Sequence, residues 1–214
     1  MIAALFVATG GVYFGLPSVD PWDVSRDARQ YAGPHPVVAH PPCERWGRYW
    51  FGGPSAKERR RKGDDGGCFA AALAAVRTYG GVLEHPEGSA AWLALDLAEP
   101  IPGAWTNADL LGGWTCSVDQ GHYGHRARKR TWLYASRVRH LPSLHWGTSS
   151  AAYRVDGGGF HTRAERIAKL GTQSRKEWLR AKGVVGVLSK KERTATPLPF
   201  RDLLLDIARS CEAP

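Results

Sequence analysis

A thiol and a carboxylate each follow a short apolar run of the sequence. Cys43 comes after Pro41-Pro42 at the end of the run 36–39, and Glu84 comes after the run 82–83. Short apolar runs bounded by Gly and Pro predict buried strands. If both strands belong to one parallel sheet, both groups project from the edge where open α/β sheets bind ligands. A thiolate beside a proton-donating acid is suited to covalent attack on an electron-poor ring.

The composition is that of a basic globular chain. It has 214 residues, 43% of them hydrophobic, and a formal net charge of +9. This charge favours a polyanionic partner, nucleic acid first, although a basic enzyme without such a partner would have the same balance. The four cysteines form no C-x-x-C pair, which predicts a reducing compartment and no metal site. The apolar start, 1–7, is too short for a membrane span and lacks signal-peptide features, so we expect a cytoplasmic protein without membrane association.

The pattern of apolar and turn residues predicts an α/β fold. We expect a mostly parallel sheet flanked by helices, with an antiparallel hairpin at its edge. The predicted strands are 2–7, 37–39, 82–83, 114–118 and 131–136, and the predicted helices are 68–79, 90–97, 162–170, 174–182 and 200–211. Too few residues separate 11 from 20 for a crossover helix. Residues 137–190 are expected to form a small basic insertion in a main domain of residues 1–136 and 191–214.

Five short motifs follow one another along the chain. They are Leu5-Phe6-Val7-Ala8-Thr9-Gly10-Gly11, Pro41-Pro42-Cys43, Glu84-His85-Pro86, Tyr123-Gly124 with the basic run 126–130, and Thr196-Pro197 with the helix 200–208. In this order they resemble the motifs of the DNA (cytosine-5) methyltransferase family. The chain departs from that family's pattern at Ala8, which replaces a glycine, and at Ala127, which replaces a glutamine. Lys129 and Thr131 stand where the family has arginines.

The resemblance implies a Rossmann-like sheet of the methyltransferase type and methyl transfer from S-adenosylmethionine to carbon 5 of cytosine in DNA. Cys43 would attack carbon 6 of the ring as a thiolate. Glu84 would be the acid at ring nitrogen 3, which requires a raised pKa. Lys129 or Arg128 would bind the ring carbonyl and lower the pKa of the thiol. The implied cofactor-binding residues are Phe6, Thr9, Gly10, Gly11 and Asp20.

The basic segments supply the expected contacts with DNA, and the insertion 137–190 would be the target-recognition region. An enzyme of this kind must flip its target base out of the duplex. The long loop 44–67 would wrap the strand, with Trp46 or Trp50 filling the vacated stack. The predicted DNA-binding residues are Arg45, Arg59, Arg60, Arg61, Arg126 and Arg128.

Two alternatives remain open from the sequence. The altered glycine turn is compatible with another one-carbon donor, or with a free nucleotide as substrate. The altered motifs and the basic charge are also compatible with a non-catalytic DNA-binding protein on a degenerate methyltransferase fold. His40 and His85 flank the two key groups and could pass a proton. The remaining cysteines are expected in the core: Cys68, Cys116 and Cys211.

Overall fold

A seven-stranded mixed sheet organises the chain. The computed structural model describes residues 1–47, 49–52, 60–155, 167–168, 170–171, 174, 177 and 188–211. The strands of the sheet are β1 (Ile2–Leu5), β2 (Val19–Trp22), β3 (Val37–Ala39), β4 (Gly81–Pro86), β5 (Thr106–Asn107), β6 (Trp114–Asp119) and β8 (Arg130–Ser136). Their spatial order is β2-β1-β3-β4-β8-β6-β5.

Helices and a small second sheet complete the described fold. The helices are α1 (Cys68–Tyr79), α2 (Ala90–Ala94), α3 (Lys190–Thr194) and α4 (Leu198–Arg209). Short 3-10 turns occupy Ala28–Gln30 and Gln120–Tyr123. Strands β7 (Ala127–Arg128) and β9 (Tyr153–Arg154) pair in parallel outside the main sheet. Among the described residues, we find no helix with the length and apolar character that a bilayer crossing requires.

The order of the parallel strands creates a switch point beside β1. Strands β2, β1, β3 and β4 run parallel, whereas β8 is antiparallel to both β4 and β6. The chain leaves β1 for β2 on one side and then crosses to β3 on the other. In open α/β sheets the crevice outside the carboxyl ends of such strands is the usual ligand site. A ligand site is therefore expected at the carboxyl ends of β1 and β3.

Both faces of the sheet are covered, so consecutive strand residues enter different cores. Leu83 packs in the core that contains Phe69 of α1, and Val82 packs in the core that contains Leu204 of α4. Because side chains alternate along a strand, Glu84 follows Val82 toward the α4 side and the next residue follows Leu83 toward α1. Burial on both faces explains why the central strands read as continuous apolar runs.

Several predicted elements are confirmed. The predicted bounds of β3 and α1 coincide with the observed ones. Asp65 stabilises the start of α1, because its carboxylate accepts hydrogen bonds from the backbone N–H groups of Gly67 at 2.9 Å and Phe69 at 2.8 Å. Residues 6–18, all of them described, connect β1 to β2 through turns rather than a helix. The predicted helices 162–170 and 174–182 lie largely outside the described residues.

Several predicted boundaries and the place of the hairpin differ from the structure. Helix α2 ends at Ala94 and not at residue 97, and α4 spans Leu198–Arg209 and not 200–211. Strand β1 ends at Leu5 and not at residue 7, because Phe6 adopts a left-handed conformation with φ of 58°. Strand β4 extends through Glu84 to Pro86, because it pairs with β8 over its whole length. The predicted hairpin forms, but β8 lies between β4 and β6 inside the sheet, and β5 occupies the edge. Of the three cysteines predicted in the core, Cys116 is buried, whereas Cys68 and Cys211 are half-buried.

Gly81 marks a very close approach of two central strands. Its φ is +125°, and a Cβ atom added there would lie 1.9 Å from the backbone oxygen of Val37 in β3. We expect Gly81→Ala to lower the free energy of unfolding by about 3 kcal/mol or more, because it combines backbone strain with a clash against backbone. Urea denaturation measures the change.

Gly103→Ala is the matched control for this prediction. Gly103 also has a positive φ, +86°, but within the described residues a Cβ atom there would meet nothing within 4 Å. The control should lose only the left-handed strain, about 1 kcal/mol. Equal losses in the two variants would contradict the close-approach argument.

Candidate active site at the carboxyl edge of the sheet

Two prolines end strand β3 and place the thiol. Pro41 and Pro42 have no backbone N–H, so the hydrogen-bond ladder cannot continue through them. The backbone oxygen of Cys43 then accepts hydrogen bonds from Trp46 N at 3.1 Å and Gly47 N at 2.9 Å. Cys43 therefore opens a tight turn at the carboxyl edge of the sheet, with its thiol half-buried.

Glu84 lies at the centre of a buried chain of hydrogen bonds. Its Oε2 is 2.9 Å from His40 Nδ1, and His40 Nε2 is 2.8 Å from the hydroxyl of Tyr13. Its Oε1 accepts a hydrogen bond from Gln120 Nε2 at 3.2 Å, and the same nitrogen donates to Thr131 Oγ1 at 2.9 Å. The chain joins the β1–β2 connection, the end of β3, strand β4 and the turn after β6.

The environment of Glu84 reverses the expected protonation state. Burial raises the pKa of Glu84, but the hydrogen bond with His40 and the positive charge of Lys129 lower it by more, and it falls to about 2. The prediction of a raised pKa is therefore wrong. The side chain is an ionised, hydrogen-bonded carboxylate at neutral pH.

The thiol also differs from the expectation. Burial and the negative charge of Glu84 raise the pKa of Cys43, and the opposing charge of Lys129 does not outweigh them. Lys129 does lower the pKa of the thiol, as predicted, but burial and the charge of Glu84 raise it by more. Cys43 follows β3, Glu84 lies near the end of the neighbouring β4, and Lys129 precedes β8, which is antiparallel to β4. All three residues therefore lie at the same edge of the sheet. The Nζ of Lys129 also donates to the backbone oxygen of Ala195 at 3.3 Å.

The glycine turn after β1 borders the same edge. The left-handed Phe6 turns the chain out of the sheet, and Gly10 is also left-handed, with φ of 63°. Gly11 N donates to Ala8 O at 2.9 Å and closes the turn. The hydroxyl of Thr9 donates to Asp23, which lies just beyond β2, at 2.6 Å.

Two aspartates lie in or just beyond β2, Asp20 and Asp23, and of these the sequence implied Asp20 as a cofactor-binding residue. Asp20 accepts a hydrogen bond from Trp22 Nε1 at 2.8 Å and forms an ion pair with Arg26 on the surface. Asp23 is buried and contacts Thr9 of the glycine turn directly. Because Asp23 also accepts hydrogen bonds from Ser25 N and Ser25 Oγ, it holds the turn in place and does not offer a free carboxylate to a ligand.

The predicted DNA-binding arginines occupy different environments. Arg60 and Arg61 are exposed, and Arg59 lies outside the described residues. Arg45 is half-buried, and its Nη1 has no hydrogen-bond partner among the described residues. Arg126 is exposed but forms an ion pair with Glu192 and lies over the ring of Tyr153. Arg128 is exposed, and its Nε donates to the backbone oxygen of Ala151 at 3.1 Å.

The two loop tryptophans also differ. Trp46 Nε1 donates to Asp65 at 2.8 Å, and the Trp46 ring packs against Phe69 with 6.0 Å between the ring centroids. These contacts hold Trp46 in the fold. Trp50 packs edge-to-face against Phe51, farther along the loop. Of the two, Trp50 is the better candidate for contact with a base.

Sequence reasoning did not assign site roles to Tyr13 or Gln120, and it named His40 only as a possible proton carrier. Tyr13 and Gln120 have no local pattern that marks them, because their partners are distant in the sequence. Among the described residues, no group of three or more His, Cys, Asp or Glu side chains is arranged to hold a metal ion. No protein-family model, curated protein or solved structure matches this chain.

His85 is a buried histidine next to the candidate acid. Its ring lies edge-on to Phe69 at 5.0 Å and stacks with Trp92 at 6.3 Å, and neither ring nitrogen has a well-oriented hydrogen-bond partner among the described residues. Burial lowers the pKa of His85 from 6.5 to about 4, although the charge of Glu84 opposes this. The ring is therefore neutral at pH 7.

The buried His85 predicts a loss of stability in mild acid. Between pH 6.5 and 4 the unfolded state binds a proton that the folded state excludes, so stability falls as pH falls, by about 3 kcal/mol over the window. His85→Leu should remove this part of the decline, whereas His125, whose pKa burial also lowers, contributes to both proteins. Urea denaturation at intervals across the window tests this, and parallel pH curves for the two proteins would contradict it.

Proposed function

We propose that this chain is a methyltransferase-type enzyme that modifies carbon 5 of a pyrimidine base in DNA, cytosine first, through a covalent adduct on Cys43. The observation that carries the proposal is the position of Cys43, Glu84 and Lys129 at one edge of the sheet, after β3, near the end of β4 and before β8. The three side chains come from distant parts of the chain. A thiol, a carboxylate and a cation are the groups that nucleophilic attack on a pyrimidine ring uses.

The sheet supports a fold of the methyltransferase type. Strands β2, β1, β3 and β4 are parallel, with Cys43 just after β3 and Glu84 in β4. The switch point between β1 and β3 lies beside both residues. The antiparallel pair β6 and β8 extends the same sheet. Gln120 directly follows β6, and Lys129 directly precedes β8. The position of the candidate residues at the carboxyl edge is the position expected of ligand-binding groups in such sheets.

The resting charges of the two key groups suit one sequence of proton transfers. Glu84, ionised, takes the proton of the Cys43 thiol, and the sulfur forms a bond to carbon 6 of the ring. The π electrons of the carbon 5–carbon 6 bond shift through carbon 4 to nitrogen 3, which takes the proton from Glu84. Carbon 5 becomes an enamine carbon that accepts an electrophile. A water molecule takes the carbon 5 proton as the carbon–sulfur bond breaks. Nitrogen 3 then returns its proton through Glu84 to the departing sulfur, which restores the ring, the carboxylate and the thiol.

The residues at the glycine turn fit S-adenosylmethionine. This cofactor carries no phosphate, so its site does not need the helix N-terminus that phosphate groups favour. Gly10 has open space around it within the described residues, and the buried Asp23 fixes the turn by accepting hydrogen bonds from Thr9 and Ser25. When bound there, S-adenosylmethionine would supply the electrophilic methyl group. Tyr13, just beyond the turn, connects this region to Glu84 through His40.

One observation favours a second candidate function. Burial and the charge of Glu84 raise the pKa of Cys43 and so lower its reactivity as a nucleophile, and a protein that binds DNA without modifying it needs no such reactivity. In that case the residues of the candidate site would only stabilise the fold, and the basic surface would bind DNA. Replacement of the thiol separates the two functions.

The first test is the formation of an adduct. We expect the protein, with S-adenosylmethionine, to form a denaturation-resistant adduct with a duplex pool that carries one 5-fluorocytosine in randomised flanks. Cys43→Ala should abolish the adduct and lower base modification by 10³-fold or more, on the order of the loss of a nucleophile. Cys68→Ala, which changes another half-buried thiol, should behave like the wild type. An adduct in Cys43→Ala would contradict the assignment, and DNA binding without any adduct would favour the second candidate.

The second test is the salt dependence of DNA binding. The exposed Arg60 and Arg61 should neutralise phosphates, so Arg60→Gln/Arg61→Gln should make the slope of log K against log salt shallower by roughly 0.9 per lost contact. Fluorescence anisotropy with a labelled duplex measures the slope. Arg209→Gln is the control, because Arg209 is exposed in the last turn of α4, pairs with Asp206 and lies outside the insertion 137–190. An equal change in the control would argue against a specific DNA contact by the loop.

A further inference from the structure

Gln120 carries a buried acceptor without a partner. Its side chain is 1% exposed, and its Oε1 accepts no hydrogen bond from any described residue. The amide nitrogen, in contrast, donates to Glu84 Oε1 at 3.2 Å and to Thr131 Oγ1 at 2.9 Å. Buried polar atoms are almost always paired, so an unpaired acceptor beside the candidate acid indicates a missing donor.

The hydrogen-bond network fixes which way the amide faces. Thr131 has one hydroxyl hydrogen, which it donates to the backbone oxygen of Lys129 at 3.3 Å, so its oxygen accepts from Gln120. The carboxylate of Glu84 also accepts. A flipped amide would place its oxygen against these two acceptors. The unpaired atom is therefore the oxygen, and a ligand that fits it must donate a hydrogen.

The backbone holds Gln120 firmly in place. Its N–H donates to Lys129 O at 3.0 Å, and its carbonyl oxygen accepts from His125 N at 3.0 Å and from Gly124 N. Gln120 begins the 3-10 turn that follows β6, at the same edge of the sheet as Glu84. A residue held by main-chain and side-chain bonds cannot readily turn its oxygen toward a new partner within the protein. The absent donor is then best supplied by the substrate.

We propose that Gln120 is a specificity-determining residue, whose Oε1 accepts a hydrogen bond from the 4-amino group of a pyrimidine whose nitrogen 3 faces Glu84. This inference rests on the proposed function. Nitrogen 3 and the 4-substituent are neighbours on the ring, as the Gln120 amide and the Glu84 carboxylate are neighbours in the site. A 4-oxo pyrimidine would place its carbonyl oxygen against Oε1, acceptor against acceptor, and Gln120 would therefore reject uracil and thymine.

The experiment compares two probes that differ in the target base. Duplex pools with randomised flanks carry either one 5-fluorocytosine or one 5-fluorouracil, and the rate of adduct formation is measured for each with S-adenosylmethionine present. We expect the wild type to favour 5-fluorocytosine by about 100-fold, as the loss of a buried hydrogen bond allows. Gln120→Leu should lower this ratio at least 10-fold, chiefly by slowing the reaction with 5-fluorocytosine. Because the ratio compares two substrates on one protein, a partial folding defect cancels.

A second variant covers the case in which Gln120→Leu reacts with neither probe. Thr131→Val keeps Gln120 but removes the hydroxyl that orients its amide, so the preference for 5-fluorocytosine should fall there too, by a smaller factor. If the ratio of the two adduct rates is unchanged in Gln120→Leu, the role of Gln120 is overturned. If Gln120→Leu reacts with neither probe, an unchanged ratio in Thr131→Val overturns it. A wild-type preference for 5-fluorouracil also overturns it. If the wild type forms no adduct with either base, the proposed function itself fails.

Discussion

The buried carboxylate of Glu84 is the charge around which the site is built. A carboxylate removed from water without compensation costs several kcal/mol, so it must be surrounded by donors or by positive charge. His40 and Gln120 bond to its two oxygens, and Lys129 adds a charge nearby. These partners belong to the end of β3 and to the segments that flank β7. The requirement to satisfy one negative charge therefore fixes the relative positions of several segments that are distant in the sequence.

The same charge explains the state of the thiol. A carboxylate close to Cys43 opposes a second negative charge, and burial adds to the effect. A low-pKa thiol and an ionised acid cannot easily coexist at this spacing unless a cation outweighs both effects. Lys129 compensates only in part. The site accordingly stores its proton on sulfur rather than on oxygen, and the carboxylate is available as the base. The proposed function uses this arrangement directly, since one proton can pass from the thiol to the ring.

Local sequence signals predicted the elements that local interactions determine. The prolines after β3 and the Ala-rich, Asp65-capped α1 gave correct boundaries. Long-range pairing was not visible in the sequence, and it extended β4 past Glu84 through its contact with β8. The protonation states were predicted wrongly because they depend on which groups meet in space. Residues such as Gln120 carry no periodic or motif signal, and only the three-dimensional network identifies them.

Hydrogen bonds join the two ends of the long loop 44–67. Gly63 N donates to Arg45 O at 3.0 Å, and Trp46 connects to Asp65 at 2.8 Å. The two ends of the loop therefore lie close together at the edge of the sheet. The entropy of closing such a loop grows only with the logarithm of its length, about 0.6 kcal/mol for each doubling. A change in the length of the stretch between these anchors therefore costs the fold little, while the thiol and the start of α1 stay where they are.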